Sequence, residues 1–382
     1  MSILSVNRLA LKLVAMDFSN GHAPNQAGPA KTARALDIIH LAARDAFASV
    51  TSVYPPQLSA LPSPPATFTK NDATGLAADL GAGLRTSALL YPYFTAFINT
   101  QSAAITEGAD PAAVVYGSQV GDQWFNSRQA NGSGLPQADS LYSSAPGHYR
   151  PDPVSLLPAL GRTCGQVTPF ILAHLASGAP LPAPPDLTSK EYASAFDDDF
   201  TALNSQKQIN VLAAVNAAMA DAGIAAWHWK YVYDFWRPIT AIREAGGDWG
   251  PTGDGDGKTF RKRTGDPFWT PVGAPKSNPL SLPASNYTPN FPAYPSGHAT
   301  FGTACFLTFA GLVGKAAANM NVTFVSDEYN WSTDDAAVPN GTVDNLGVMR
   351  PRWEQTFMAE AIEQNKLSRI YFGMHWQFDA EA

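Results

Sequence analysis

The sequence predicts an all-α fold built from helical bundles, and three observations support this prediction. Long segments repeat apolar residues at helical spacing, as in "AKTARALDIIHLAARDAFASV" at residues 30–50. Strand-like alternation of apolar and polar residues is almost absent. Pro- and Gly-rich stretches such as "YPPQLSALPSPPA" separate the helical segments, and we interpret them as irregular connections.

Helical segments are expected in both halves of the chain. They cover residues 30–50, 75–101, 110–129, 189–238, a stretch after 298, and 352–373. Residues 131–187 are dense in Pro and Gly, so we predict a long irregular segment there, with one short helix near "TPFILAHL". We therefore expect one all-α domain with an N-terminal half, residues 1–187, and a C-terminal half, residues 188–382.

Composition limits the classes of function. The 382 residues are 45% hydrophobic and 15% charged, which is typical of a compact globular protein. The formal net charge of −7 argues against nucleic-acid binding, which needs a basic surface. Cys164 and Cys305 lack metal-ligand spacing and do not indicate a disulfide framework. We recognise no signal peptide and no apolar run of about 18 residues, so we predict no membrane span and, by default, a cytoplasmic location, with secretion left open.

The segment "WHWKYVYDFWRP" places two basic residues close together. Lys230 and Arg237 are seven residues apart, which in a continuous helix is two turns, so both would project from one face. Buried cations need an anionic partner. Asp234 follows Lys230 by four residues, so the segment alone favours a Lys–Asp helix pair beside an arginine whose head reaches solvent.

The segment "FPAYPSGHATFG" combines turn-forming residues with a histidine. Ser296 can cap a helix that starts near His298, and Gly297 permits close backbone approach. A helix N-terminus with free N–H groups, a hydroxyl and an imidazole suits an oxyanion. An ordinary helix cap with an incidental histidine explains this segment equally well when it is taken alone.

The segment "SRIYFGMHWQFD" carries a second histidine close to a predicted helix end. Gly373 predicts that the helix stops between Arg369 and His375, which would turn both side chains toward one point. The alternative is a capping glycine beside a surface arginine and a packed histidine.

Together, the three segments predict an oxyanion site. They supply three cations, two histidines, a hydroxyl and a backbone amide, namely Lys230, Arg237, Arg369, His298, His375, Ser296 and Gly297. Arginine forks match the oxygens of a tetrahedral or trigonal-bipyramidal anion. One shared anion explains all three segments more simply than three unrelated structural roles.

The patterns "K-x6-RP", "PSGH" and "SR-x5-H" resemble the three-part signature of vanadium-dependent haloperoxidases and type 2 phosphatidic acid phosphatases. Over about residues 200–382, stretches such as "GDPFWTPVGAP" and "GMHWQFDA" are similar to the chloroperoxidase-like branch. The resemblance implies two four-helix bundles, with the oxyanion in the C-terminal one, and it makes a homodimer an expectation. Members of this branch continue well beyond the position of Ala382, so we expect this sequence to lack the family's C-terminal end.

The resemblance also implies a role for each motif residue. His375 would bond the vanadium of a vanadate cofactor, and the remaining cofactor-binding residues would be Lys230, Arg237, Ser296, Gly297, His298 and Arg369. His298 would act as acid and base, and Lys230 would polarise bound peroxide for attack by halide. The carboxylate that orients the arginine in this family cannot be located by motif.

The expected partners are hydrogen peroxide, a halide and a small electron-rich organic substrate. Trp227 and Phe291 would lie near the halide path, with bromide expected and chloride open, while plain core packing is the alternative for both. Phosphate resembles vanadate in shape and could occupy the same site. The competing functions are therefore an acid phosphatase, in which His375 forms a phosphohistidine and His298 protonates the leaving group, and a non-catalytic oxyanion binder.

Overall fold

The computed structural model describes residues 3–19, 23–135, 142, 148–153, 156–171, 204–244, 266–271, 288–325, 342–343, 349–350 and 353–382. These residues contain ten α-helices: α1 (Ile3–Ser19), α2 (Pro29–Thr51), α3 (Asp72–Leu90), α4 (Thr95–Ile105), α5 (Pro111–Ser127), α6 (Ser205–Tyr233), α7 (Pro238–Glu244), α8 (Gly297–Val313), α9 (Met358–Tyr371) and α10 (Gln377–Glu381). The predicted all-α class is confirmed.

Four short strands, which the sequence did not predict, accompany the helices. Strand β1 (Asn321–Val325) pairs antiparallel with β4 (Trp353–Phe357), and β2 (Thr342–Val343) pairs antiparallel with β3 (Met349–Arg350). The β1–β4 pair joins the end of α8 to the start of α9, so it is a local connection rather than a layer of the fold.

The N-terminal half is a bundle of α2, α3 and α5, with α1 and α4 packed beside it. Its core is one cluster of buried apolar side chains that includes Leu13, Ile38, Leu80 and Trp124. Helix caps follow the sequence: the Asn71 side chain accepts from the Thr74 N–H at 2.9 Å, which begins α3, and Asp110 caps α5 in the same way.

Helix α6 connects the two halves, because it packs against α2 on one side and against α8 on the other. Packing against both helices explains why α6 is rich in apolar residues. It is long and apolar enough to pass a length-and-hydropathy test for a membrane span, contrary to our expectation of no such segment, but 61% of its apolar window is buried inside the protein. We therefore interpret α6 as a core helix.

The C-terminal half is built on α6, α8 and α9. A second apolar cluster, which includes Val211, Ala310, Val313 and Ile362, holds these three helices together at the end away from the start of α8. The short helices α7 and α10 flank the opposite end, where the turns of the three sequence segments lie.

The predicted element boundaries are correct for some helices and wrong for others. Helix α2 matches its prediction within one residue at each end, whereas α1 was not predicted and α6 ends at Tyr233 rather than continuing to residue 238. Within the described residues of 131–187, the only helical turn is Cys164–Gln166. Of the short helix expected near "TPFILAHL", residues 168–171 are not helical, and the rest lies outside the described residues.

Candidate active site

The three sequence segments meet at one end of the C-terminal half. Their functional groups come from five positions in the fold: Lys230 near the end of α6, Arg237 just before α7, Ser296 to His298 at the start of α8, Arg369 in the last turn of α9, and His375 between α9 and α10. The structure therefore brings together all seven residues that the motifs singled out.

The reason we gave for pairing Lys230 with Arg237 is wrong. Helix α6 ends before Arg237, because Asp234 adopts a left-handed conformation with φ of 48°. The predicted Lys–Asp helix pair is also wrong, since the Asp234 carboxylate instead contacts His148 Nδ1 at 3.2 Å. The two cations approach each other because the chain turns after α6, not because they share a helix face.

Lys230 is fully buried and is held by the turn that precedes α8. Its Nζ donates to the carbonyl oxygens of Pro292 and Ala293, both at 2.9 Å, and to that of Pro295. These three acceptors match the three donors of an ammonium group. Burial, and then the charge of Arg237, lower the pKa of Lys230 well below its usual value.

Arg237 is the centre of the site. Its Nε donates to the Phe291 carbonyl at 3.0 Å, and its Nη1 lies 2.9 Å both from the Met374 carbonyl and from His375 Nε2. Its Nη2 is buried and has no hydrogen-bond partner among the described residues. Burial lowers the pKa of Arg237 to about 10, so the side chain remains a cation at neutral pH.

The His375 ring is fixed from both sides. Its Nδ1 lies 2.8 Å from Asp379 Oδ2, and its Nε2 lies 2.9 Å from the Arg237 guanidinium, which can only donate. These contacts assign the proton to Nδ1 and leave a lone pair on Nε2. Burial, and then the charges of Arg237 and Lys230, lower the pKa of His375 well below its usual value, so the ring stays neutral.

Asp379 connects two of the three segments. Besides His375, its Oδ2 accepts from the Trp376 N–H at 2.9 Å, and its backbone carbonyl accepts from the Ser296 N–H at 2.7 Å. Burial raises the pKa of the Asp379 carboxyl to about 6, although the Trp376 N–H and the cations Arg237 and Lys230 oppose this shift.

The start of α8 presents backbone donors to the site. Ser296 is fully buried and caps the helix, since its Oγ accepts a long bond of 3.4 Å from the Ala299 N–H. The amides of Gly297 and His298 lie in the first turn, where no intrahelical acceptor exists. A Cβ at Gly297 would lie only 3.2 Å from the Trp227 ring, so this helix start packs directly on Trp227.

His298 and Arg369 form the exposed side of the site. His298 is exposed at the surface, yet its packed surroundings, and then the charges of Arg369, Arg237 and Lys230, lower the pKa of its imidazole. Arg369 is half-buried; its Nη1 lies 4.0 Å from Met374 Sδ and its guanidinium lies over the Phe372 ring. The expected carboxylate partner of Arg369 stays unassigned.

Trp227 and Phe291 form an apolar wall beside the cations. Their ring centroids are 4.9 Å apart, and Phe301 continues the wall 5.9 Å from Trp227. The Lys230 Nζ lies 5.3 Å from the Phe291 centroid, and the Arg237 guanidinium lies 5.1 Å from it. Such contacts stabilise desolvated cations and exclude water from one side of the site.

This arrangement suits an anion rich in oxygen. Three cations and one carboxylate, Asp379, meet here, and the buried Arg237 Nη2 still has donors to offer. An anion would offset the positive charge, whose burial is otherwise costly. The described residues contain no group of three or more His, Cys, Asp or Glu side chains that could hold a metal cation. These donors suit a vanadium(V) oxyanion, and His375 Nε2 could bond the metal once it releases the hydrogen bond from Arg237 Nη1.

Sequence reasoning missed two residues that contact this set. Asp379 follows His375 by four residues, a spacing that brings side chains together on one helical turn and could have indicated the contact. Asn365 donates from Nδ2 to the His298 carbonyl at 2.7 Å. It is a single asparagine on an otherwise ordinary surface helix, so no sequence signal identifies it.

The fold and this site together define a helical-bundle protein in which three cations and two histidines meet at one end of the C-terminal half. A family model described as the VCPO second helical-bundle domain matches residues 210–382. The resemblance that the motifs predicted is therefore confirmed over the C-terminal part of the chain, which is similar to this helical-bundle domain.

Comparison with individual proteins extends this result. The chain is 35% identical over 195 residues to the vanadium chloroperoxidase of Curvularia inaequalis; the match covers 47% of this chain and 29% of that protein's length. A solved bacterial vanadium-dependent iodoperoxidase superposes with a TM-score of 0.64 at 19% identity, covering 99% of this chain and 91% of the other. The apo structure of a bacterial vanadium-dependent chloroperoxidase superposes with a TM-score of 0.61 at 16% identity, covering 93% of this chain and 90% of the other. The likeness of fold therefore includes the N-terminal half.

Proposed function

We propose that this protein is a vanadate-dependent haloperoxidase that uses hydrogen peroxide to oxidise halide to hypohalous acid, which then halogenates electron-rich organic molecules. The observation that carries the proposal is the pairing of Arg237 and His375. A buried guanidinium offers unused donors at Nη2 and donates from Nη1 to His375 Nε2, whose lone pair Asp379 maintains by holding the ring proton on Nδ1. That lone pair would pass from the Arg237 hydrogen bond to vanadium when the site is loaded. An oxyanion matches this pair of residues, because its oxygens need several hydrogen-bond donors and its central atom can take one nitrogen ligand.

Each residue of the site would make a different contact with the cofactor. His375 Nε2 would be the ligand to vanadium, and Arg237 Nη2, the Gly297 amide and the Ser296 hydroxyl would donate to oxygens from the buried side. Arg369 would hold an oxygen from the exposed side. When bound, vanadate supplies a Lewis acid that activates peroxide without a change in oxidation state.

His298 would move the proton of the incoming peroxide. Its packed surroundings, and then the nearby cations, lower the pKa of its imidazole, so at neutral pH the ring is neutral and can accept a proton. A bound anion offsets these cations and raises the affinity of the ring for that proton. His298 is exposed, so it can also exchange protons with solvent.

Lys230 would have to give up one of its hydrogen bonds before it could act on peroxide. In this structure its three donors are used by the carbonyls of residues 292, 293 and 295. We propose that one of these bonds is exchanged for a peroxide or vanadate oxygen when the site is loaded. The apolar wall of Trp227 and Phe291 would then favour a weakly hydrated halide such as bromide over chloride.

An acid phosphatase is the second candidate, because the same observation supports it. Phosphate is close to vanadate in shape, and the His375 Nε2 lone pair could attack phosphorus to form a phosphohistidine while His298 protonates the leaving group. The family match of residues 210–382 favours the haloperoxidase.

A paired assay separates the two functions. The purified chain is loaded with orthovanadate and tested for peroxide-dependent bromination of a phenolic dye, and the vanadate-free chain is tested for phosphomonoester hydrolysis. We expect bromination that depends on both vanadate and peroxide, and little hydrolysis. Robust hydrolysis without any bromination would overturn the proposal in favour of the phosphatase. The exposed substitution Gln364→Ala is a matched control, and it should leave both rates unchanged.

A further inference from the structure

Asn365 links the two helices that carry the exposed side of the site. It lies on α9, one turn before Arg369, so both side chains project from the same face. Its Nδ2 donates to the backbone carbonyl of His298, on α8, at 2.7 Å. One polar contact therefore joins the helix that bears Arg369 to the first turn of the helix that bears His298.

Gly302 makes this contact possible. A Cβ built at Gly302 would lie 2.2 Å from Asn365 Nδ2, far closer than any real contact allows. Gly302 follows His298 by four residues, so in α8 its amide points at the same carbonyl that Asn365 contacts. The His298 carbonyl has two lone pairs, so it can accept from both donors. Gly302 and Asn365 thus form a matched pair across the α8–α9 interface.

The rest of the site does not need such a contact. Lys230, Arg237 and His375 are each buried and held by two or more hydrogen bonds. His298 and Arg369 sit on separate helices, whose shared apolar cluster begins at Phe306, about 12 Å along α8 from His298. Near the site, the relative placement of the two helices depends on contacts such as that of Asn365.

We propose that Asn365, with Gly302, is a positioning residue that sets the spacing between His298 and Arg369. The role of this spacing in activity rests on the proposed function, but the positioning itself can be measured without any oxyanion. The pair fixes where the acid–base histidine lies relative to the arginine that would hold the cofactor from the exposed side.

The test uses Asn365→Ala, Gly302→Ala and their combination, with Gln364→Ala as the control on the neighbouring exposed position. The first readout is the NMR signal of the His298 ring in the oxyanion-free protein, assigned with His298→Gln. The second is the dissociation constant for orthovanadate from calorimetry. The third is the pH profile of bromide oxidation, which a purely structural role would not move.

We expect the His298 signal to shift and orthovanadate binding to weaken about tenfold in Asn365→Ala, which is typical of lost supporting contacts. Gly302→Ala should act in the same direction in the parent chain but should be harmless in the Asn365→Ala background, because the clash disappears with the amide. Gln364→Ala should change nothing.

Failure of the proposed function and failure of the positioning role give different results. A parent chain that neither binds orthovanadate nor oxidises bromide contradicts the proposed function, while a shifted His298 signal in Asn365→Ala would still support the positioning role. An unchanged His298 signal in Asn365→Ala, or equal effects of Gly302→Ala in both backgrounds, would overturn the positioning role whatever the activity.

Discussion

Lys230 shows how one residue can be both structural and chemical. Its ammonium group is fully buried, and it satisfies three carbonyls of the turn that places Ser296 and His298. The turn and the cation therefore depend on each other. A sequence motif can name such a lysine, but it cannot show that all three donors are already in use.

Lys230→Met is predicted to destabilise the protein as well as to inactivate it. The substitution leaves three buried carbonyls without a donor, and each such group costs about 1–3 kcal/mol. We expect a clear fall in the urea midpoint of unfolding. Lys207→Met, on an exposed position of the same helix, is the control and should be close to neutral. A Lys230→Met protein as stable as the control would contradict the structural role.

Asp379→Asn is predicted to weaken oxyanion binding while leaving the fold intact. Asparagine keeps the shape of the side chain and can still accept a hydrogen bond from the His375 Nδ1–H. It loses the negative charge that makes His375 a better ligand. We expect orthovanadate affinity to fall about tenfold by calorimetry. Glu381→Gln, on the same short helix and exposed, should bind like the parent. Equal affinity in both variants would argue that Asp379 does not act through His375.

At the scale of elements, glycines set how closely the N-terminal helices approach. A Cβ at Gly117 on α5 would lie 1.8 Å from the Ala78 carbonyl oxygen on α3, and a Cβ at Gly81 would lie 2.1 Å from that of Val114. Both obstacles are backbone atoms, which cannot move without shifting a helix. The α3–α5 contact therefore tolerates no side chain at these two positions.

Gly117→Ala and Gly311→Ala are predicted to have opposite effects on stability. At Gly117 the added methyl group overpacks the helix contact, which typically costs about 1–3 kcal/mol. At Gly311 on α8 nothing lies within 4 Å of the added Cβ, so the better helix propensity of alanine should be neutral or stabilising, by up to about 1 kcal/mol. Urea unfolding of both variants measures the difference, and destabilisation of the same size at both positions would contradict this account of packing.

Sequence patterns predicted the helices better than their ends. The amphipathic pattern of α2 gave its boundaries almost correctly, because burial and periodicity agree there. The pattern of α6 did not reveal its end at Tyr233, since the left-handed turn at Asp234 depends on tertiary contacts such as that of His148. Helix α1 was overlooked although its sequence carries the signal, since Val6, Leu9, Ala10 and Leu13 follow helical spacing and all pack into the core.

The motif residues were predicted because their chemistry is unusual. Their supporting contacts were not predicted, because the residues that make them are of ordinary types. Arginine, lysine and histidine at fixed spacing are costly to bury, so they indicate a ligand. Asn365 and Asp379 are common residue types whose importance comes from the distance to a partner. The small strand pairs escaped prediction for a similar reason, since two- to five-residue strands have too short a pattern to recognise.

At the scale of the whole molecule, the site is a local positive centre in an acidic protein. The chain has a formal net charge of −7, yet Lys230, Arg237 and Arg369 all lie close enough to His375 to lower its pKa. Mutual repulsion of these cations opposes folding, and an anion that binds only the folded state relieves it.

Phosphate is therefore predicted to stabilise the vanadate-free protein. At a concentration about 100 times its dissociation constant, a ligand of the folded state adds about 2.7 kcal/mol to the free energy of unfolding. We expect the thermal midpoint to rise with phosphate and to change much less with sodium chloride at equal ionic strength. Identical effects of the two salts would indicate general screening rather than a specific site.

The most direct test of the central claim is a calorimetric titration of the purified chain with orthovanadate, compared with His375→Ala. The account predicts one oxyanion bound per chain, competition by phosphate, and loss of most of the affinity in His375→Ala. A chain that does not bind orthovanadate, or a His375→Ala variant that binds it as tightly as the parent, would contradict the claim that these helices build a vanadate site around His375.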